Sequence, residues 1–377
     1  MNINKTKRVF IIAGEPSGDQ HASRLIRQYT EKNKDVIVDA FGQNELEKTG
    51  ANMIYNTEKI SVVGVIEVLS KINKISDALK IAKNHIKDTK PNLIILVDYV
   101  EFNLKIAKYA KSLNIPVLFY IAPQLWAWRE KRAQSLVENI SYLAVIFPFE
   151  ELFFKKYTKD VSFVGHPLFH DANLINSVKS INERSIDLGI FPGSRESEIK
   201  NNIHMMLDCL QNKKKQNIAI FYANKTCLEL LEKLLPENYH PCLKSGEDIN
   251  AISNCKKAIC ASGTVTLQLA ILEVPMVIMY KLSLITYFVM KSLVKLKYIG
   301  LVNLVLGDTI GSKPIVKEFI QPSYSDQIDV MVELNKIDND NKYRQDMINM
   351  YKEIKSSLSG KSQDNLNSII NRLLNVI

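Results

Sequence analysis

Cysteine is sparse and badly placed for either of its structural uses. The five cysteines (Cys209, Cys227, Cys242, Cys255 and Cys260) are odd in number and form no CxxC pair, and no histidine stands near Cys255 or Cys260 at ligand spacing. A disulfide framework and a zinc site are therefore not expected, and no metal is expected elsewhere. Long hydrophobic runs are missing too: no stretch reaches the ~20 apolar residues of a membrane span. The opening MNINKTKRVFII passes straight into a strand, without a signal peptide's apolar segment and cleavage site. The cytoplasm is the expected compartment. Also absent is any lysine face interleaved with aromatics, or any known nucleic-acid module. The formal net charge of +9 is thus not expected to serve nucleic acid, which leaves an anionic membrane surface or anionic substrates. An AT-rich genome could also raise lysine content with no function behind it.

What is present is an ordinary globular composition, 46% hydrophobic and 24% charged. At 377 residues the chain exceeds one ordinary core, so two domains are expected. Apolar strand-like runs at 8–13, 36–41, 93–97, 117–121, 142–147 and 161–164 alternate with helical segments, including a long helix over 62–86. That alternation predicts an α/β fold with a parallel, doubly wound sheet. Gly165-His166-Pro167 interrupts it, and a second series follows with strands at 186–191, 218–222, 258–261 and 276–280. The expected organisation is a first Rossmann-like domain over 1–167, a second over 168–345, and a helical tail over 346–377 packing back on the first.

The chain is organised around residues 91–103, PNLIILVDYVEFN. The unbroken apolar run 93–97 suits a strand buried on both faces, and it ends in Asp98. Ligands of open α/β sheets lie beyond the carboxyl ends of the strands, so Asp98 is expected to point there, with Glu101 in reach. The alternative is that Asp98 only caps the next helix. Glu15 lies in the turn after the first strand. Two further turns, Pro192-Gly193-Ser194-Arg195 and Ala261-Ser262-Gly263-Thr264, join strands to helices and suit a phosphate. Arg195 is placed to neutralise a diphosphate, and Gln268, one turn past Thr264, to reach a ribose hydroxyl. Asp338-Asn339-Asp340 matches the DxD pattern of metal-dependent sugar transferases but reads as a solvated polar loop. Residues 282–306 mix apolar residues with Lys291, Lys295 and Lys297, as in a segment lying on an anionic membrane; a core helix with snorkelling lysines is the other reading. Trp126 and Trp128 read as packing before sugar platforms, and His166 as a hinge before a base.

Together these segments resemble the lipid-A-disaccharide synthases, glycosyltransferases of GT-B architecture. The matching pieces, in order, are AGEPSGD (13–19), GVIEVL (64–69), Asp98 with Phe102-Asn103, APQLWAWR (122–129), FPFE (147–150), GHP (165–167), FPGSR (191–195), ASGT (261–264), PMVIMYK (275–281) and Asn303. The resemblance implies two Rossmann-like domains facing across a cleft. It implies transfer from UDP-2,3-diacylglucosamine to 2,3-diacylglucosamine 1-phosphate, with inversion, giving UDP and a β-1,6 tetraacyl disaccharide 1-phosphate. No cofactor is implied. Asp98 is the expected base and Glu15 the reserve; Gly193, Ser194, Arg195, Ser262, Gly263, Thr264, Gln268 and Asn303 are expected to hold UDP. Val65, Ile66 and Leu69, with the three lysines, form the expected acyl or membrane surface. Peripheral association with the inner membrane is expected, and a homodimer stays open. Departures from the family pattern fall at Val100, Glu101, Gln268, Lys281 and Val302. The rival is a GT-B UDP-GlcNAc transferase or epimerase acting on a non-acylated sugar.

Overall fold

The computed structural model describes residues 6–60, 65–128, 130–210, 217–281, 298–306, 314–321, 324–359 and 363–375; the side chains at 65–71, 127–128, 306, 324–325 and 363–364 also lie outside that description. The chain forms two compact units, Met1–Gly165 with Gly360–Ile377, and His166–Ser359.

The first unit is built on seven parallel strands: β1 (Lys7–Ala13), β2 (Val36–Gly42), β3 (Asn52–Asn56), β4 (Leu93–Val97), β5 (Val117–Tyr120), β6 (Tyr142–Val145) and β7 (Val161–Phe163). Their order is β3-β2-β1-β4-β5-β6-β7. All five residues of β4 are buried, because helices cover both faces of a parallel sheet. Phe10, Ile12, Ile94, Leu96, Phe119 and Val145 feed one core, each such side chain contributing roughly 1.5–3 kcal/mol by leaving water. Asp39 is buried within the sheet and accepts from Arg8 at 2.6 Å, His85 at 2.9 Å and Asn52 at 3.0 Å. Burial alone would push its carboxyl up; those bonds and the Arg8 charge hold it below the usual range.

The second unit has six parallel strands: β8 (Leu188–Phe191), β9 (Ile218–Tyr222), β10 (Leu243–Ser245), β11 (Ala258–Cys260), β12 (Met276–Tyr280) and β13 (Glu318–Ile320). Their order is β10-β9-β8-β11-β12-β13. Strand order therefore reverses once in each sheet, at β1/β4 and at β8/β11, and these are the switch points where ligands of doubly wound sheets bind.

The C-terminal segment divides. Helix Asn341–Ser359 belongs to the second unit, where Met347, Tyr351, Ile354 and Leu358 are buried. Helix Gln363–Leu374 belongs to the first: Tyr29 Oη donates to Asn371 at 2.6 Å, and Arg372 lies 4.7 Å from the Tyr142 ring centre. The return to the first unit thus starts at 360 rather than 346. Among the described residues, no helix is long and apolar enough to cross a membrane.

Candidate active site

At the first switch point Ala13 of β1 pairs with Val97 of β4, so the residues that follow each strand emerge side by side. Gly14 and Asp98 come first. A Cβ on Gly14 would lie 2.2 Å from the Tyr99 ring, so only glycine lets that ring pack against the β1 turn. Tyr99 Oη donates to the Ile60 carbonyl at 3.2 Å and its ring stacks on Phe102. Asp98 and Tyr99 are both left-handed, at φ 48° and 45°, a costly backbone for residues other than glycine. Burial pushes the Asp98 carboxyl up to about 6, and the Glu15 charge adds to the rise. Both carboxylates are half-buried. The structure thus brings Asp98 and Glu15 together at the strand ends.

Their sequence neighbours have other duties. Asp19 is buried and accepts backbone N–H groups from Gln43 (2.6 Å), Glu45 (2.9 Å) and Leu46 (3.4 Å), which fixes the turn after β2. Glu101 is exposed on helix Val100–Ser112 and pairs with Arg132, so its helix turns it away from the strand ends. His166 is buried and its Nδ1 accepts from Leu168 N–H at 3.3 Å, capping the turn Pro167–His170. Trp126 Nε1 donates to Glu150 at 3.2 Å, and its ring meets Phe149 edge-on. Glu150, in the first turn of helix Pro148–Phe154, also accepts from the Ile146 and Phe147 N–H groups at 3.3 and 3.2 Å. Burial pushes Glu150 up to about 8, with the Asp98 charge a smaller contribution.

At the second switch point the turns after β8 and β11 lie on adjacent strands, Phe191 pairing with Cys260. Gly193 sits at φ 125°, and a Cβ there would lie 2.6 Å from that of Glu198. Glu198 accepts from Ser194 N–H at 3.0 Å and from Tyr280 Oη at 3.0 Å, and pairs with Arg195 at 3.5 Å. Arg195 remains 55% exposed. Asn202 bridges strand ends, donating to Pro192 O at 3.0 Å and accepting from Lys281 N–H at 2.8 Å. In the neighbouring turn Gly263 has φ 154°, Thr264 is exposed at the start of helix Val265–Ile271, and Gln268 is half-buried one turn on. Ser262 Oγ donates to Ile299 O at 3.1 Å. Glu318 holds that loop by accepting from Ile299 N–H (2.8 Å) and Gly300 N–H (3.0 Å).

Asn303 is buried and spends its whole amide inside the protein. It donates to Val316 O and Glu318 at 2.7 Å each, and accepts from Ile315 N–H at 2.9 Å and Val316 N–H at 3.0 Å. Its contact here is with the loop beside Ser262, through Glu318. Asp338 is not in a solvated loop: it ends helix Tyr324–Asn339 and pairs with buried Lys257. Asp340 caps the next helix through Tyr343 N–H at 2.9 Å. Among the described residues no three His, Cys, Asp or Glu side chains are grouped to hold a metal. The side chains of Val65, Ile66, Leu69 and Trp128, and residues Lys291, Lys295 and Lys297, lie outside the described residues.

Sequence reasoning passed over Glu198, Asn202, Glu318 and Glu150. FPFE contained the last of these, and the GSR turn stood three residues before the first, but neither pattern assigns the carboxylate a partner.

Two parallel sheets whose switch points carry a carboxylate pair in one and paired small-residue turns in the other define a GT-B fold. Solved structures agree: the kitacinnamycin glycotransferase superposes with a TM-score of 0.63 at 10% identity, covering 98% of this chain and 100% of its own. The MnaA–UDP structure from S. aureus gives 0.58 at 13% identity, covering 98% of each chain. The sequence pattern of the lipid-A-disaccharide synthetase family matches residues 9–371. The lipid-A-disaccharide synthase of Nitrosococcus oceani is 34% identical over 374 residues, 96% of this chain and 94% of its own. The chain belongs to the lipid-A-disaccharide synthetase family, a family of glycosyltransferases.

Proposed function

We propose that the chain joins UDP-2,3-diacylglucosamine to 2,3-diacylglucosamine 1-phosphate by inverting transfer. The observation that carries this reading is the Asp98–Glu15 pair at the first switch point, with the Asp98 carboxyl pushed up to about 6. A carboxylate with that affinity for protons is a better base than an ordinary one and is still ionised near neutrality. The acceptor 6-hydroxyl oxygen attacks the anomeric carbon and Asp98 takes its proton. The bond from that carbon to the diphosphate oxygen breaks, and UDP leaves with the electron pair. Arg195 and the backbone N–H groups of the 193–195 and 262–264 turns meet the charge on the leaving group, so the reaction runs without a metal. Gln268 meets the ribose. Both acylated substrates are drawn from an anionic inner-membrane surface, in keeping with the mixture of apolar residues and lysines in the sequence of 282–297.

The test is direct. Purified protein is supplied with the two acylated substrates, and in parallel with UDP-GlcNAc and non-acylated glucosamine 1-phosphate, with products read by mass spectrometry. A tetraacyl disaccharide 1-phosphate with equimolar UDP is expected in the first arm alone. Turnover confined to the second arm, or epimerised UDP-GlcNAc, would establish the rival instead.

A further inference from the structure

A buried amide beside the base makes bonds that packing alone does not call for. Asn103 is fully buried on helix Val100–Ser112. Its Nδ2 donates to the Asp98 carbonyl at 2.7 Å and to the Val97 carbonyl at 3.3 Å. Both partners are carbonyls, so the nitrogen must be the atom turned toward them. Its Oδ1 is buried with no hydrogen-bond partner. A buried acceptor without a partner costs stability, so the residue is not optimal for folding at this position. What its two donors do is close the last carbonyl of β4 and the first beyond it onto the helix. Those carbonyls lie on either side of Asp98, the first of two consecutive left-handed residues, Asp98 and Tyr99. Neither is glycine, so the turn persists only where surrounding bonds over-determine it. Asp98 N–H adds a bond to Tyr120 O at 3.3 Å, and Asn103 N–H one to Tyr99 O at 3.0 Å.

We infer that Asn103 is the positioning residue of the site: its amide clamps the strained strand end and so fixes where the Asp98 carboxylate points. This rests on the reading of Asp98 as the base. Without the clamp, Asp98 and Tyr99 relax toward ordinary φ values and the carboxylate leaves its place beside Glu15. Asn103 itself touches no substrate. The groups facing the Asp98 carboxyl are Glu15 from the β1 turn and the Tyr99 N–H of its own turn, while Glu150, in helix Pro148–Phe154, feels the Asp98 charge. None of these is removed when Asn103 is changed, so any movement of the Asp98 titration reports a moved carboxylate.

The experiment compares Asn103→Ala, Asn103→Ser and Asp98→Asn in the full chain, measuring kcat, donor KM and the acid limb of the kcat/KM pH profile. Displacing a catalytic group by about 1 Å costs about 10²-fold. Asn103→Ala is expected to lose about that much in kcat, with donor KM little changed and the acid limb displaced from its wild-type position. Asn103→Ser keeps one donor and is expected to recover part of the rate; if Asn103→Ala does not fold, Asn103→Ser against wild type carries the same comparison. Wild-type kcat and an unmoved acid limb in the Asn103 variants, with Asp98→Asn inactive, would overturn the clamp while leaving the base intact. A fully active Asp98→Asn would instead overturn the base, and the clamp with it.

Discussion

The Tyr280 hydroxyl donates to Glu198 across 3.0 Å, tying the end of β12 to the turn that follows β8. The same carboxylate takes the Ser194 N–H and pairs with Arg195. Burial and the Glu198 charge push the Tyr280 phenol upward, so it stays a donor throughout the working pH range. Three donors on one carboxylate shape the turn, beside the Asn202 bond to the Pro192 carbonyl.

Glu198→Ala should therefore loosen the Pro192 turn. The Ser194 N–H and Tyr280 hydroxyl lose their acceptor, costing about 1–3 kcal/mol. Gly193→Ala should be at least as damaging, because a Cβ meets that of Glu198 at 2.6 Å and φ is 125°. Thermal unfolding with UDP titration checks both: each variant should melt lower and bind UDP more weakly. Wild-type UDP affinity in Glu198→Ala would show that the turn is held by something else.

Arg195 is the exposed cation of that turn. Removing a charged donor from a developing anion typically costs on the order of 10²–10³ in rate. Arg195→Ala should nearly abolish turnover, and EDTA should leave the wild-type rate unchanged. Inhibition by EDTA that Mg²⁺ or Mn²⁺ reverses would sink metal-free transfer.

Membrane attachment is tested through residues 282–306. Binding through Lys291, Lys295 and Lys297 should need anionic lipid and weaken with salt, each lysine contributing about 1 kcal/mol near the surface. Changing all three to Gln should release the protein from phosphatidylserine-containing vesicles in co-sedimentation without altering its melting temperature. Unchanged vesicle binding would put the anchor elsewhere.

The parts of the site readable in sequence were those encoded locally. An apolar run of five residues ending in an acid announces a strand end, and β4 lies at 93–97 as expected. The two strand-to-helix turns at 192–195 and 261–264 were legible for the same reason. The carboxylates that hold them were not, because Glu198 meets Tyr280 at a separation of 82 residues and Glu318 meets Ile299 at 19. Asp338 looked solvated because its partner Lys257 stands 81 residues upstream. Strands β3, β10 and β13 escaped because they are short and all three are edges: NMIYN, LKS and EFI carry no long apolar run.

Glu150 offers a test by stability. Its carboxyl is pushed up to about 8 in the folded chain, against 4.5 for a free group. A raised folded value means its stabilising contribution is complete below about 4.5 and is lost as pH rises toward 8. The wild-type melting temperature should thus fall across that window more steeply than that of Glu150→Gln. The variant will start lower, since one amide oxygen can serve either Trp126 or the Ile146 and Phe147 N–H groups but not both, so the slope is the quantity to compare. Parallel slopes would mean Glu150 is ionised in the folded protein.

The two carboxylates at the first switch point make the sharpest prediction. Asp98→Asn keeps shape and hydrogen bonding but cannot take a proton, and loss of a general base typically costs roughly 10²–10⁴ in kcat. Donor affinity should barely move, because the proposed nucleotide-binding turns belong to the second unit. Wild-type kcat/KM should fall as pH drops below about 6, where Asp98 becomes protonated. The Glu15 charge raises that value, so Glu15→Gln should shift the acid limb to lower pH while retaining activity. If Glu15→Gln is instead inactive and Asp98→Asn turns over normally, the proton goes to the β1 turn and the two roles are exchanged.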